Sequence, residues 1–350
     1  MSMMTDSSRP VTGGVDTHKD VHVAAVVDPL GAVLGTAAFD NSTPGYELLH
    51  RWLAGFGTLD RVGVEGTGSY GAGLARFLTA ADLEVVEINR PDRHARHREG
   101  KSDPLDAIAA ARGAVAGRHA GVPKSGDGIV ESIRMLRACR RGAVRARTGC
   151  ANQIHSLIDT APAELRDPWR DKTIVELAEI AERTAPSDDL ASPAAATLWS
   201  LRCLARRWDY LDAEIGELDR HLSQLVPVAA PALIALQGLG TDTAGALLVA
   251  AGDNPGRLRS EASFAALCGV NPLPASSGKT NRHRLNRSGN REANQALWRI
   301  AMVRMSHDPD TRAYVERRTK EGLSKREILR CLKRYIAREV YHHLPRVDPA

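Results

Sequence analysis

The chain has 350 residues, of which 43% are hydrophobic and 25% charged, with a mean hydropathy of −0.28. This length suffices for two or three packed domains, and this polarity excludes both a disordered chain and a membrane-embedded one. No basic stretch leading into an apolar run opens the sequence, and the apolar stretch 231–251 is broken by Gly, Thr and Asp, so a cytoplasmic protein without membrane association is expected. Five cysteines (Cys139, Cys150, Cys203, Cys268 and Cys331) form no CxxC pair and read as reduced packing residues. The net charge is +5, but residues 282–338 alone carry 16 Lys and Arg against 6 Asp and Glu. Such a concentrated basic surface suits a polyanion, and nucleic acid above all.

In chain order, a tail over 1–11 leads into strands at 11–16, 21–27 and 32–39, the last two joined by a turn at Asp28-Pro29-Leu30-Gly31. Thr43 as N-cap with Pro44 at the first helical position opens a helix bearing Leu48, Leu49, Trp52 and Leu53. A strand at 61–65, a helix through Leu74 and Leu78, a strand at 84–88 and a helix over 104–116 complete an α/β domain spanning 12–118. Three strands in a meander followed by alternating helix and strand is the order of a ribonuclease-H-like domain.

The region 119–228 reads as helical. Residues 129–158 form one long helix on which Arg134, Arg137, Arg141 and Arg145 follow at steps of three and four, a basic ridge able to touch phosphates or simply to face water. Beyond the Pro- and Ser-containing stretch 186–193, Leu201, Leu204, Trp208, Leu211, Ile215, Leu218, Leu222 and Leu225 alternate steps of three and four. They form a coiled-coil seam, ended by Pro227, that closes either on the 129–158 helix or on a second chain. A mainly helical domain over 229–345 follows. It begins with a helix-hairpin-helix-like turn whose Gly238 and Gly240 can present backbone N–H groups to a phosphate, and it closes with basic helices near 291–305 and 325–341.

Two groups of residues could carry chemistry. Asp16 and Glu65 stand at the ends of neighbouring strands, and Asp103 and Asp106 share a helix face at i and i+3. Clustered acids repel unless cations neutralise them; Mg²⁺ matches oxygen ligands, and a pair of such ions suits phosphoryl chemistry. Asp103 ahead of Pro104 is equally a good N-cap, with Asp106 a first-turn acid that suits the helix dipole. The second group is the loop bearing Ser276, Ser277 and Lys279, followed by Arg282, Arg284 and Arg287. A serine among cations can attack a phosphodiester, although Pro, Ser and Gly are also ordinary loop residues.

Taken together, Gly14-Val15-Asp16-Thr17-His18-Lys19, Val64-Glu65-Gly66-Thr67-Gly68-Ser69-Tyr70, Lys101-Ser102-Asp103-Pro104-Leu105-Asp106-Ala107, the Gly238-Leu239-Gly240 turn, and Gly269-Val270-Asn271-Pro272 leading to Ser277-Gly278 resemble the DEDD-type insertion-sequence transposases. The likeness runs from Val11 to Tyr341. It implies a RuvC-like domain, a coiled coil and a serine-bearing transposase domain. It also implies that Asp16, Glu65, Asp103 and Asp106 bind Mg²⁺ and that Ser277, rather than Ser276, forms a covalent 5′-phosphoserine with DNA. A noncoding bridge RNA would pair with donor and target DNA. The protein would act as a homo-oligomer, dimer or tetramer, the serine of one subunit meeting the acids of another. Gln237 and Asn294 depart from the family pattern, standing where Pro and Arg are common. Alternatives from other classes are a Holliday-junction-type endonuclease that uses the acids and water, and a non-enzymatic nucleic-acid binder.

Overall fold

The computed structural model describes residues 9–88, 102–117, 120–185, 187–276 and 283–345. The chain forms two compact units, one of residues 1–127 with 252–259, the other of residues 128–251 with 260–350.

The first unit is a six-stranded mixed sheet in the order β3-β2-β1-β4-β5-β6. Strands β1 (Pro10–Thr17), β2 (Val21–Val27) and β3 (Val33–Asp40) form the antiparallel meander. Strands β4 (Thr58–Glu65) and β5 (Glu84–Ile88) add on in parallel, and β6 (Ala120–Gly121) closes the edge antiparallel. One face packs on α1 (Thr43–Ala54) and α2 (Ala72–Ala80) through Val15, Ala24, Val64, Leu49, Leu53, Leu74 and Leu78. The other face packs on α3 (Asp103–Ala116) through Val86, Ile88, Ala110 and Ala114. This mixed sheet with flanking helices is consistent with a ribonuclease-H-like domain. The N-cap of α1 is Ser42, one residue before the expected Thr43; its hydroxyl accepts the Gly45 N–H at 3.3 Å, and Pro44 follows inside the first turn.

In the second unit, α4 (Ile129–Asp159) lies against α7 (Pro193–Ala229) within the same chain. Ala143 and Cys150 of α4 pack on Leu211 and Ile215, while Ile154 and Ile158 join Leu201 and Ala205 further along. Two short helices, α5 (Ala163–Trp169) and α6 (Ile174–Arg183), fill the connection and bury Leu165, Trp169 and Leu177 in the same core. Along the leucine seam, Val226 rather than Leu225 is fully buried, and the helix runs past Pro227 to Ala229. Proline is tolerated there because only the last turn loses a backbone donor, and the Ala230 N–H still bonds the Val226 carbonyl at 3.0 Å.

The same unit continues with α8 (Pro231–Ile234), α9 (Thr241–Ala251), α10 (Glu261–Leu267), the hairpin β7 (Leu273–Pro274) and β8 (His283–Arg284), then α11 (Arg291–His307), α12 (Pro309–Lys320) and α13 (Lys325–His343). Of the cysteines, Cys150 and Cys268 are buried packing residues as expected, whereas Cys139 and Cys203 are exposed. No helix among the described residues is long and apolar enough to cross a membrane.

Candidate active site

The acidic site is built by glycine. A Cβ on Gly14 of β1 would stand 2.1 Å from the Ala111 amide nitrogen and 2.4 Å from the Ala107 carbonyl, and one on Gly63 of β4 would stand 2.5 Å from the Ala110 carbonyl. Only bare backbone at 14 and 63 lets α3 lie directly on the two central strands, and the helix answers with its own small face of Ala107, Ala110, Ala111 and Ala114, all buried. Side chains alternate along a strand, so Asp16 and Glu65, each two residues beyond one of these glycines, project to the same α3 side. Strand β1 pairs in parallel with β4 up to Val15 and Val64, which places the two acids at adjacent strand ends. The Thr17 hydroxyl donates to the Glu65 carbonyl at 2.7 Å and ties the ends together.

The first turn of α3 lies above those ends. The N-cap is Ser102, so Asp103 is the first helical residue and does not cap the helix as its place before Pro104 had suggested. Its carboxylate is instead directed at His18, whose Nε2 lies 3.3 Å from Asp103 Oδ1 and 3.1 Å from Asp16 Oδ2. Asp106 is buried on the same helix, 5% exposed. Burial pushes the Asp16 carboxyl above its usual pKa; His18 works against that shift, while the charges of Asp106 and Asp103 add to it. Asp16, Asp103 and Asp106 thus form one electrostatic cluster. Ligand atoms of Asp16, His18 and Asp103 lie within 4.8 Å of one another, a set of hard oxygen donors plus one imidazole that fits a divalent cation. His18 was not singled out in the sequence; the available signal was its place just beyond the strand that carries Asp16.

The serine-bearing loop belongs to the second unit. It connects β7 to β8, whose pairing sets Leu273 opposite Arg284 and Pro274 opposite His283. Ser276 is exposed at its start. Ser277, Lys279 and Arg282 lie outside the described residues, while Arg284 and Arg287 are exposed beyond them. The base of the hairpin is tightly organised. The Asn286 side chain donates to Asn271 Oδ1 at 2.7 Å and accepts the Ser288 N–H at 2.9 Å. Asn294 donates to the Cys268 carbonyl at 2.8 Å. A Cβ on Gly289 would meet the Gly269 nitrogen at 2.2 Å, so the two backbone segments touch there.

The expected basic ridge has become an ion-pair ladder. Arg134 pairs with Glu131 at 2.6 Å, Arg137 with Asp242 at 2.6 Å, and Arg141 with Glu292. Arg299 shares Asp242 at 2.6 Å. Of the four ridge arginines only Arg145 is exposed without an ion pair among the described residues. Burial alone would raise the Asp242 pKa, but Arg137, which also hydrogen-bonds it, together with Arg140 and Arg299, outweighs burial and holds the carboxyl below its usual range. In the glycine turn, the Gly240 N–H donates to Thr243 Oγ1 at 3.1 Å, so that donor is occupied within the chain. Gly238 takes φ +80° and lies against Ile300 and Arg304.

Two family models match the chain. Residues 13–161 match a transposase model for the DEDD domain of IS110-type elements, and residues 230–316 match the transposase IS116/IS110/IS902 family. A curated relative, the insertion element IS110 uncharacterized 43.6 kDa protein of Streptomyces coelicolor, is 30% identical over 148 residues, which is 42% of this chain and 34% of the relative. The chain therefore spans about a third of that relative's length in the match. The first model covers all four acids and the second covers the serine loop, in the order in which the chain presents them; the chain belongs to the IS110-type DEDD transposase family.

Proposed function

We propose that this protein is the recombinase of its own insertion sequence, cutting and rejoining DNA at the element ends and the target. The observation that carries this reading is the convergence of Asp16, Asp103 and Asp106 on one side of β1 and β4, with Glu65 at the adjacent strand end. Such crowding of like charges at neutral pH calls for a counter-cation. Asp16, Glu65, Asp103 and Asp106 would hold Mg²⁺, one ion or two. Bound there, Mg²⁺ would neutralise charge developing on the scissile phosphate. His18 bridges Asp16 and Asp103 and keeps the two carboxylates at a fixed spacing.

Ser277 is the nucleophile in this reading. Its Oγ forms a bond to the phosphorus, the bond from phosphorus to the 3′ oxygen breaks, the serine proton ends on the released 3′-hydroxyl, and the protein keeps a 5′-phosphoserine. Attack by another 3′-hydroxyl reverses the step and joins new partners. Lys279, Arg282, Arg284 and Arg287 around the loop, and Arg145 on α4, would carry phosphate contacts; Gly238 remains open to the same role. The guide is a noncoding RNA that delegates sequence choice to base pairing, and the helix pair α4–α7 serves as the coiled coil of a homo-oligomer.

The test is to incubate the protein with Mg²⁺, its element-flanking RNA and labelled element-end DNA, then denature. Label retained on the protein, lost in Ser277→Ala and kept in Ser276→Ala, is the expected result. Cut DNA without any adduct, unaffected by either change, would establish a metal-dependent endonuclease that uses water. Binding without cutting in every variant would establish a non-enzymatic binder.

A further inference from the structure

A cavity of about 740 Å³ opens between the β7–β8 hairpin and α13, lined by Asn271, Pro272, Arg284, Arg330, Lys333 and Tyr335 among others. Its size suits a single nucleotide. Its charge is unbalanced. Lys333 is half-buried, and its Nζ donates to Asn294 Oδ1 at 2.9 Å, a neutral acceptor, with no carboxylate in ion-pair range among the described residues. Burial first, and then the neighbouring Arg330, hold the Lys333 pKa below its usual value, as expected of an ammonium that lacks its anion. Arg330, partly exposed, and Arg284, exposed, likewise have no ion pair among the described residues. Arg334 is already engaged with Glu261 at 3.1 Å. The one carboxylate in the lining among the described residues, Glu327, accepts from the Ser324 N–H at 2.9 Å and hydroxyl at 2.6 Å, where it caps α13, and it feels the charge of Arg330 without forming an ion pair with it.

The lysine is also positioned. Asn294 accepts from it with Oδ1 and donates with Nδ2 to the Cys268 carbonyl, so the ammonium is referenced to the backbone that leads into the hairpin. At the lip, Tyr335 is 53% and Leu285 48% exposed, flat or apolar surface that a bare inorganic anion would not use.

We propose that this cavity holds one backbone phosphate of the DNA strand, received by Lys333 Nζ with Arg330 and Arg284, while Tyr335 offers its ring to an adjoining base. The proposal rests on the reading above that the chain acts on DNA. DNA is favoured over RNA because the cavity wall is the hairpin whose loop carries Ser276 and Ser277. Asn294 acts here through Lys333: the charge comes from α13 and the asparagine aims it.

The experiment uses the full chain loaded with the element-flanking RNA and a labelled duplex of the element end, without metal, with affinity measured over a range of salt. Lys333→Met should weaken DNA binding about tenfold and lower the slope of log K against log salt by about 1, and Lys333→Arg should restore the slope. Arg330→Ala removes a side chain that makes no ion pair among the described residues, and should lower the slope similarly. Wild-type binding with unchanged affinity and slope in both Lys333→Met and Arg330→Ala overturns the cavity assignment alone. A wild type that loads RNA but never binds the duplex overturns the functional reading, and the cavity assignment with it. A defect confined to RNA loading, with DNA binding intact, overturns the choice of DNA.

Discussion

Replacing Gly14 by alanine tests whether the acidic site depends on how closely α3 lies on the sheet. The new Cβ would land 2.1 Å from the Ala111 nitrogen and 2.4 Å from the Ala107 carbonyl oxygen. Both are backbone atoms, so no rotamer change on the helix relieves the clash. To regain ordinary van der Waals separation, α3 must recede by about 1 Å or more. Overpacking of this kind costs about 3 kcal/mol, which for a domain of this size lowers the melting temperature by roughly 10 °C. Because Asp103 and Asp106 ride on the same helix, they move away from Asp16, and a misplacement of about 1 Å at a catalytic site costs roughly a hundredfold in rate. The assay pairs thermal unfolding with Mg²⁺-dependent cleavage of element-end DNA below the variant's melting range. Gly216→Ala on α7, where a Cβ meets nothing within 4 Å, serves as the control and should leave both readouts unchanged. Wild-type melting and wild-type cleavage in Gly14→Ala would refute the claim that glycine sets the site.

Asp16→Asn should abolish cleavage and yet melt at or above the wild-type temperature in chelator, because it removes a buried charge that Asp103 and Asp106 repel; a clear drop in metal-free stability would contradict this. Asp242→Asn should destabilise the second unit by about 2 kcal/mol at pH 7 in urea unfolding, since Arg137 and Arg299 lose their shared carboxylate. The folded-state pKa of Asp242 is depressed, so its contribution is present above the ordinary carboxylate range and fades as pH falls through the lower folded value. Wild type and variant should therefore converge in acid, and a gap that stays constant would count against the ion-pair account. Gly289→Ala, whose Cβ would meet the Gly269 nitrogen at 2.2 Å, should suppress the covalent adduct while leaving metal-induced stabilisation of the acidic site intact; loss of both would show that the substitution acts through general unfolding.

Where local chemistry decides, the sequence was legible to the residue. Strands 21–27 and 84–88 have the expected bounds because β-branched runs end in turn residues or at a helix end. The cap of α1 was ambiguous because Ser42 and Thr43 both precede Pro44, and only the extended backbone of Ser42 selects it. Helix α6 announces itself by the capping box Thr173 with Glu176, a signal carried by the sequence alone. That Asp16, Asp103 and Asp106 fall close together could be anticipated because strand ends and helix starts are local features. His18 and the α3-facing glycines could not be placed, since their meaning comes from contacts with residues far along the chain. The arginine ridge shows the same limit: periodicity gives the face on which Arg137 lies, but its partner Asp242 is 105 residues away. Lys333 reads as one more exposed charge until Asn294, 39 residues earlier, is found beneath it.

The short segment 252–259 returns to the first unit after the chain has built α4 through α9. There Arg257 donates to the Val122 carbonyl at 2.8 Å and approaches Glu87 at 3.5 Å, and Asn254 donates to the Pro123 carbonyl at 2.8 Å. During synthesis, then, the unit that carries the four acids emerges from the ribosome with Glu87 lacking its arginine, and more than a hundred residues must follow before Arg257 arrives. A fragment cut at residue 127 would be left permanently in that state, so completion of the acidic unit is timed by translation of the segment that leads toward the serine loop.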